Sequence, residues 1–177
     1  MTFSKKIQAQ FKLAGWHEGR KDSRLKTLLK EKYNYPEVAL NFLEEFGNLR
    51  VENVVNIEPV AIDFRLNLPE LDLAYAMGSI DSEISFFVEK FGFPLYYLGE
   101  HTPHSWFVCC DDAGRVYKLA DLCFYCGNTI EKGIENILTH GKDDSIVYED
   151  VSNTWHKRSE DYLGFTPIDF EAWVLDH

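Results

Sequence analysis

The chain of 177 residues is 45% hydrophobic and 27% charged, a composition typical of one globular domain with a sizeable core and not of a disordered chain. Its net charge of −11 argues against general affinity for nucleic acids or anionic membranes, because both are polyanions. No apolar run approaches the roughly 18 residues that cross a bilayer. The amino terminus lacks the apolar stretch of a secretory signal, so we expect a cytoplasmic protein.

Charge is distributed unevenly along the chain. Residues 1–50 carry ten basic residues against six acidic ones, whereas residues 51–140 carry five against fourteen and residues 141–177 three against nine. The basic residues of the first segment fit the solvated faces of amphipathic helices. The acidic excess of the remainder indicates a surface that attracts basic partners, because long-range fields steer oppositely charged molecules together.

Three short helices are predicted before residue 50. Asp22 or Ser23 is expected to cap the second helix, Pro36 to begin the third, and Gly15 and Gly47 to end the first and the third. The apolar residues at helical spacing are Phe3, Ile7 and Phe11 in the first, Leu25, Leu28, Leu29 and Tyr33 in the second, and Ala39, Leu43 and Phe46 in the third.

The apolar pattern then changes to the alternating period of strands. Residues 60–66 predict a half-buried strand, and the valine-rich residues 49–55 are expected to pair with it. A helix is predicted over residues 79–91. Three aromatic-rich strands follow over 93–98, 105–110 and 115–119, and Gly114 is expected to take a positive φ in the turn that joins the last two. A fifth helix is expected to be capped by Asn128, with Glu131 completing a capping box.

This order of elements predicts the fold class. Parallel βαβ units would alternate regularly, so we expect an α+β fold with a mainly antiparallel sheet, flanked by amino-terminal and later helices. Residues 1–140 form the expected domain. Residues 141–177 form an acidic extension with a short terminal helix behind Pro167, and we expect its Trp155 and Trp173 to pack on the domain, the alternative being that they reach a partner.

Four cysteines are the first candidates for chemistry. Cys123 and Cys126 have the CxxC spacing found in zinc and redox sites. Cys109 and Cys110 are consecutive in a predicted strand, so their side chains point to opposite faces and cannot both reach one metal ion. The Phe-Tyr insert between Cys123 and Cys126 is bulky and typical of a core segment. We therefore expect reduced, buried cysteines and no resident metal.

Other motifs give no stronger indication of catalysis. His101 and His104 bracket a proline in a predicted exposed loop, and with Glu100 they have the donor types of a metal site but little freedom to converge. The sequence contains no GxSxG elbow, P-loop or dinucleotide-binding glycine pattern. Asp111 and Asp112 fall on the hairpin turn, where water is expected to keep the two pKa values together. We expect no catalytic residue and no cofactor.

Several segments, taken in order, do carry a family pattern. They are Ala14-Gly15-Trp16 with Gly19-Arg20, and the residues at 42–49, 94–100, 112–117 and 127–138. Their order and spacing resemble the SUKH superfamily, specifically the third of its bacterial immunity-protein branches, over roughly residues 7–140. Asn48 stands where the family often has a second glycine, and asparagine also tolerates the left-handed conformation.

The resemblance implies a non-enzymatic cytoplasmic protein that neutralises a polymorphic toxin domain by binding it. Nucleases are common among such toxins, and an acidic surface could cover a basic nuclease groove. The implied partner is a toxin protein, with no direct nucleic-acid or membrane contact, and the oligomeric state stays open. Two alternatives are a general protein-interaction scaffold, as in eukaryotic members of the superfamily, and a hydrolase or metal enzyme built on the cysteines and histidines. Metal analysis would test the latter.

The resemblance also divides the residues into structural and partner-binding sets. Trp16 is expected to anchor the turn after the first helix, and Arg20 to pair with a carboxylate or cap a carbonyl. The expected structural set is Gly15, Trp16, Arg20, Phe46, Gly47, Gly99 and Gly114. The expected partner-binding set is acidic and lies around the sheet edge and its loops: Asp63, Glu70, Asp72, Asp81, Glu83, Glu100, Asp111 and Asp112, with Tyr97 and Trp106 as aromatic anchors unless their strands bury them.

Overall fold

A computed structural model describes residues 3–55, 58–66, 81–103, 105–139, 146–158 and 164–176. Within these ranges the chain forms six helices and nine strands. The helices are α1 (Lys5–Leu13), α2 (Ser23–Tyr33), α3 (Glu37–Phe46), α4 (Asp81–Phe91), α5 (Ile130–Thr139) and α6 (Phe170–Asp176). The strands are β1 (Arg50–Val55), β2 (Glu58–Asp63), β3 (Tyr96–Thr102), β4 (Trp106–Cys110), β5 (Val116–Leu119), β6 (Cys123–Gly127), β7 (Ile146–Glu149), β8 (Thr154–Arg158) and β9 (Phe165–Ile168).

The nine strands form one antiparallel sheet in chain order, so each strand pairs with the next. The α+β class and the antiparallel sheet predicted from the order of elements are therefore confirmed. The extension contributes β7, β8, β9 and α6, of which the sequence pattern predicted only the terminal helix. Strand β6 was also missed, because its residues are buried or half-buried on both faces and show no alternation of apolar and polar positions.

The two faces of the sheet are covered by different helices. Cys109 and Cys110 demonstrate this, because the two consecutive residues of β4 lie in separate buried clusters, as strand alternation requires. The first core lies under α1, α2, α3 and α5, and its fully buried large side chains include Ile7, Phe11, Leu29, Leu40, Phe42, Leu43, Ile62, Phe64, Leu98, Ile130, Ile134 and Leu138. The second core lies under α4 and α6, and its buried members are Phe87, Leu95, Cys109, Tyr117, Leu119, Cys123, Tyr125, Ile146, Tyr148 and Phe170.

Helix α5 packs against the sheet at unusually close range. A Cβ placed on Gly133 would lie 2.4 Å from Cβ of Val116, and one on Gly127 would lie 2.6 Å from the nitrogen of Gly133. The helix is also fixed by two buried amides, since Asn136 Nδ2 donates to the carbonyl of Cys126 at 2.8 Å and Asn53 Nδ2 to that of Leu138 at 2.7 Å. Glycine is required at positions 127 and 133 because neighbouring backbone and side-chain atoms already fill the space that a Cβ would take.

Helix caps and turns agree with most of the sequence-based expectations. Asp22 Oδ1 accepts from the backbone N–H of Leu25 at 2.9 Å and so caps α2. Gly114 has the expected positive φ, at +85°. The predicted cap of α5 was wrong by one residue: Thr129 and not Asn128 is the capping residue, because Thr129 Oγ1 accepts from the backbone N–H of Lys132. Helix α3 begins at Glu37, after Pro36.

Strand β3 differs most from its predicted position. The strand begins at Tyr96 and runs to Thr102, so His101 lies inside it and is only 3% exposed. The expectation of an exposed loop at His101 was therefore wrong. Pro103 comes directly after the strand, and the register pairs His101 with Trp106 of β4. His104 lies outside the described residues.

Candidate partner-binding site

The acidic partner-binding candidates that the structure describes lie on several different elements. Asp63 ends β2 and Glu100 lies in β3, whereas Asp111 and Asp112 lie at the β4–β5 turn. Glu83 lies on α4 and is exposed. Asp81 begins α4, but its side chain is outside the description, as are residues Glu70 and Asp72 altogether. The structure thus brings Asp63 and Glu100 together on neighbouring strands, whereas Asp111 and Asp112 are neighbours in sequence and Glu83 lies on a separate element, α4.

Asp63 and Glu100 are register partners on neighbouring strands. Asp63 is already bound by two cations: Arg65 Nε donates to Oδ1 at 2.8 Å, and Arg50 Nη1 lies 3.6 Å from Oδ2. Partial burial of Asp63 favours the neutral acid, but the hydrogen bonds and charge of Arg65, together with the charge of Arg50, outweigh it and lower the pKa. Asp63 is therefore an internally paired carboxylate, and Glu100 beside it is half-buried.

Asp111 has a structural environment that its turn position did not suggest. The residue is 2% exposed, so the expectation of a wet turn carboxylate was wrong for it. Its Oδ1 accepts from the backbone N–H groups of Ala113 and Arg115 at 3.0 and 2.9 Å, and its Oδ2 accepts from Arg115 Nε at 2.5 Å and from the hydroxyl of Tyr117 at 3.1 Å. These four bonds satisfy the buried charge.

The same network connects the hairpin to the extension. Arg115 Nη1 lies 3.0 Å from both carboxylate oxygens of Glu171 on α6, and the guanidinium lies over the rings of Phe93 and Phe170. Burial, reinforced by the charge of Asp111, raises the pKa of Tyr117 well above its usual range, so the phenol remains a hydrogen-bond donor. The neighbouring Asp112 is exposed and accepts from the hydroxyl of Tyr96 at 3.0 Å.

The two aromatic candidates are half-buried, and Tyr97 packs against both cores. Tyr97 packs edge-on against Phe107, with ring centroids 5.8 Å apart. Trp106 packs against Phe124, and the ammonium group of Lys118 lies 5.2 Å from the Trp106 ring. Lys118 is 8% exposed, and nothing in the sequence pattern distinguished it from a surface lysine. Both aromatic residues have intramolecular packing, and neither is fully exposed.

Trp16 and Arg20 bind the end of α3. Trp16 Nε1 donates to Glu45 Oε1 at 3.0 Å, and its ring stacks on Phe46 with centroids 5.8 Å apart. Of the two roles expected for Arg20, the structure shows carbonyl capping: Nη1 donates to the carbonyl of Glu45 at 2.5 Å and Nη2 to that of Gly47 at 2.7 Å. These bonds satisfy carbonyls that a helix end leaves without partners.

At the other positions of the family pattern, the available space or the backbone conformation explains why a glycine or an asparagine is present. A Cβ on Gly47 would lie 2.4 Å from the carbonyl oxygen of Leu43, and one on Gly99 would lie 2.4 Å from that of Asp63. Asn48, at the position where glycine was expected, has φ +62°. Gly15 has φ +101° and follows Ala14, the C-cap residue of α1.

A cavity of about 370 Å³ lies beside Trp16, between α1, the turn after it and α3. Its aromatic wall consists of Phe3, Phe11, Trp16 and Phe46, and its rim includes the carboxylates of Glu18 and Glu45. The sequence pattern gave Trp16 and Phe46 structural roles only. Sequence reasoning missed the cavity because it is formed by residues that are up to 43 positions apart, and only the packing of α1 against α3 brings them together.

The cysteines have the environment expected of core residues. Cys109, Cys110, Cys123 and Cys126 are all free and buried. Burial raises the pKa of the Cys109, Cys110 and Cys123 thiols, which disfavours the reactive thiolate. Cys123 belongs to the second core and Cys126 to the first, so the CxxC pair is divided between opposite faces of β6. Among the described residues, no group of three or more His, Cys, Asp or Glu side chains is arranged to hold a metal ion.

The fold and its site define an α+β protein with an antiparallel meander whose exposed acids are spread over several surface elements. None of the described helices is long and apolar enough to span a membrane. The SUKH-3 immunity protein family model matches residues 3–140, so the chain belongs to that family and to the SUKH superfamily. The immunity proteins of this family are generally non-enzymatic. Searches of curated proteins and of solved structures find no match.

Proposed function

We propose that this protein is a cytoplasmic immunity protein that binds one cognate polymorphic toxin domain and neutralises it by covering its active surface. The observation that carries this proposal is the family match over residues 3–140. The protein acts by binding, without catalysis. Every cysteine is buried, and Asp111 is held by four hydrogen bonds, so these residues serve the fold.

The charge of the molecule supports a basic target. A net charge of −11 generates a negative field that accelerates encounter with a basic protein and disfavours encounter with nucleic acid. A toxin that binds the phosphate backbone has a basic groove of this kind. Among the described acidic candidates for partner binding, Glu83 and Asp112 are exposed and can act at long range, whereas Asp63 and Asp111 are neutralised by arginines within the molecule.

Co-expression with the neighbouring toxin tests the function directly. The carboxy-terminal domain of a large toxin-like product encoded beside this gene is expressed with and without this protein. We expect restored growth and a complex that co-purifies. A toxin domain that still kills in the presence of the folded protein would contradict the proposal and favour the general scaffold.

Charge reversal tests the electrostatic part of the proposal. Glu83→Lys with Asp112→Lys should reduce the association rate with the toxin about tenfold and flatten its dependence on salt concentration. The control, Glu31→Lys with Asp121→Lys, makes the same change in net charge at exposed positions. Asp121 lies in the turn at the opposite end of β5 from Asp112. Equal association rates for both double variants and the wild type would show that these charges do not contribute to binding, and would leave the immunity proposal standing.

A further inference from the structure

The cavity beside Trp16 combines two chemical features that together select a ligand. Its wall is a continuous series of aromatic rings: the Phe3 and Phe11 centroids are 4.8 Å apart, those of Phe11 and Phe46 are 4.6 Å apart, and Trp16 stacks on Phe46. The faces of aromatic rings attract cations, most strongly the indole face of tryptophan. Phe3, Phe11 and Phe46 are each at most 4% exposed, so they form a fixed apolar layer behind the cavity, and the half-buried Trp16 is the ring that a ligand can contact.

The rim supplies negative charge. Glu45 is half-buried, and its Oε1 accepts the indole N–H of Trp16. Among the described residues no group donates to Oε2 of Glu45, which leaves that oxygen able to accept from a ligand. Glu18 is exposed at the same opening, and the exposed Lys12 is the one basic residue among the described residues that line the cavity. The rim therefore has two carboxylates against one ammonium group.

The wall is held in place before any ligand binds. The backbone N–H of Trp16 donates to the carbonyl of Phe11 at 2.8 Å, and Arg20 bonds two carbonyls at the end of α3. Such preorganisation lowers the entropy lost on binding. A volume of about 370 Å³ lies in the range of pockets that enclose a bound group.

We propose that this cavity binds one lysine or arginine side chain of the toxin, inserted against Trp16 with its charge beside Glu18 and Glu45. This inference rests on the proposed function and specifies which surface of the immunity protein engages the partner. A cationic side chain satisfies both features of the cavity: its methylene stem packs on the accessible part of the Trp16 ring, and its charged end meets the carboxylates.

The first test uses a probe that does not require the toxin. N-acetyl-L-arginine amide is titrated into the ¹⁵N-labelled protein, with N-acetyl-L-citrulline amide as the uncharged match of nearly equal shape. We expect a saturable shift of the indole signal of Trp16, assigned with Trp16→Phe, and no comparable shift of Trp106 or Trp155. An equal response to both compounds, or no shift of Trp16 with the arginine compound, would overturn the proposal.

The second test uses the complex. Glu18→Gln with Glu45→Gln removes both rim charges but keeps an amide oxygen that can accept from Trp16, so the fold should remain intact. We expect the dissociation constant of the toxin complex to rise about tenfold. Glu31→Gln with Glu89→Gln makes the same charge change on α2 and α4, at exposed positions that do not line the cavity, and should alter it less than about twofold.

The outcomes separate the two proposals. Wild-type protein that rescues growth, combined with equal affinities for the two double variants, would overturn the cavity proposal and leave the immunity function standing. Wild-type protein that fails to rescue growth would overturn the immunity function and, with it, the toxin as the source of the bound side chain. Melting temperatures of the variants confirm that each difference in affinity reflects binding and not unfolding.

Discussion

The two faces of the sheet are covered by cores that come from different parts of the chain. Among the described residues, every buried member of the first core lies between Phe3 and Leu138, within the part of the chain that the family model matches. The second core draws Ile146, Tyr148 and Phe170 from the extension, with Trp155 and Trp173 packed around them. The first core is mainly aliphatic and phenylalanine side chains, whereas the second contains three tyrosines. The family region thus builds one side of the sheet by itself and shares the other with the extension.

Removal of residues 141–177 should damage the second core far more than the first. It would leave β6 as an open edge and would expose the second core around Tyr117 and Tyr125. We expect the truncated chain to aggregate or to lose cooperative thermal unfolding. The measurement is circular dichroism melting beside the full chain. A truncated protein that melts cooperatively at the wild-type temperature would show that the extension is only docked on a complete domain.

Single core substitutions compare the two sides quantitatively. Phe42→Ala in the first core and Trp155→Ala in the second should each lower the free energy of unfolding by about 3–5 kcal/mol, with Trp155 nearer the lower value because it is half-buried. The indole of Trp155 stacks on Phe170 with centroids 4.2 Å apart and also packs on Tyr148. Urea unfolding provides the measurement.

Val151→Ala is the control, because its side chain is 91% exposed and its removal should change stability by less than about 0.5 kcal/mol. A cost below about 1 kcal/mol for Trp155→Ala would show that the extension adds little to the second core.

Two adjacent carboxylates at the β4–β5 hairpin should contribute very differently to stability. Asp111→Ala should cost about 3 kcal/mol, because it leaves Arg115 without its buried partner and removes four hydrogen bonds. Asp112→Ala should cost less than about 1 kcal/mol, since it removes one exposed bond to Tyr96. Similar unfolding free energies for the two variants would show that the buried network is not coupled to stability.

The smallest expected effect is the pH dependence at Asp63. Because its pKa is lowered in the folded protein, Asp63 stabilises the fold above the ordinary pKa of an aspartate, and that stability is lost as pH falls through the lowered value. Asp63→Asn should cost about 0.2–1 kcal/mol at neutral pH, and its difference from wild type should disappear in acid. If the two free energies of unfolding still differ at the lowest pH at which wild type and variant both fold, the ion pairs of Asp63 are not the source of the difference.

Local patterns in the sequence determined a large part of this molecule. Helical spacing located α1 to α5 to within a few residues, and the cap at Asp22 and the turn at Gly114 followed from local hydrogen bonding and backbone sterics. The α+β class and the family also followed from the order of elements and motifs. Each of these properties depends on residues that are close together in the chain, so the sequence displays it directly.

Tertiary structure alone decided which side chains are exposed and which distant residues meet. Strands β6 to β9 have weak alternation, and the pairing of neighbouring strands fixes them. Asp111 and Asp112 are adjacent in sequence, yet one is buried because Arg115 and Tyr117 surround it and the other is exposed. Likewise, the cavity beside Trp16 exists only because α1 packs against α3. Burial and long-range contacts arise from packing in three dimensions, which no local pattern records.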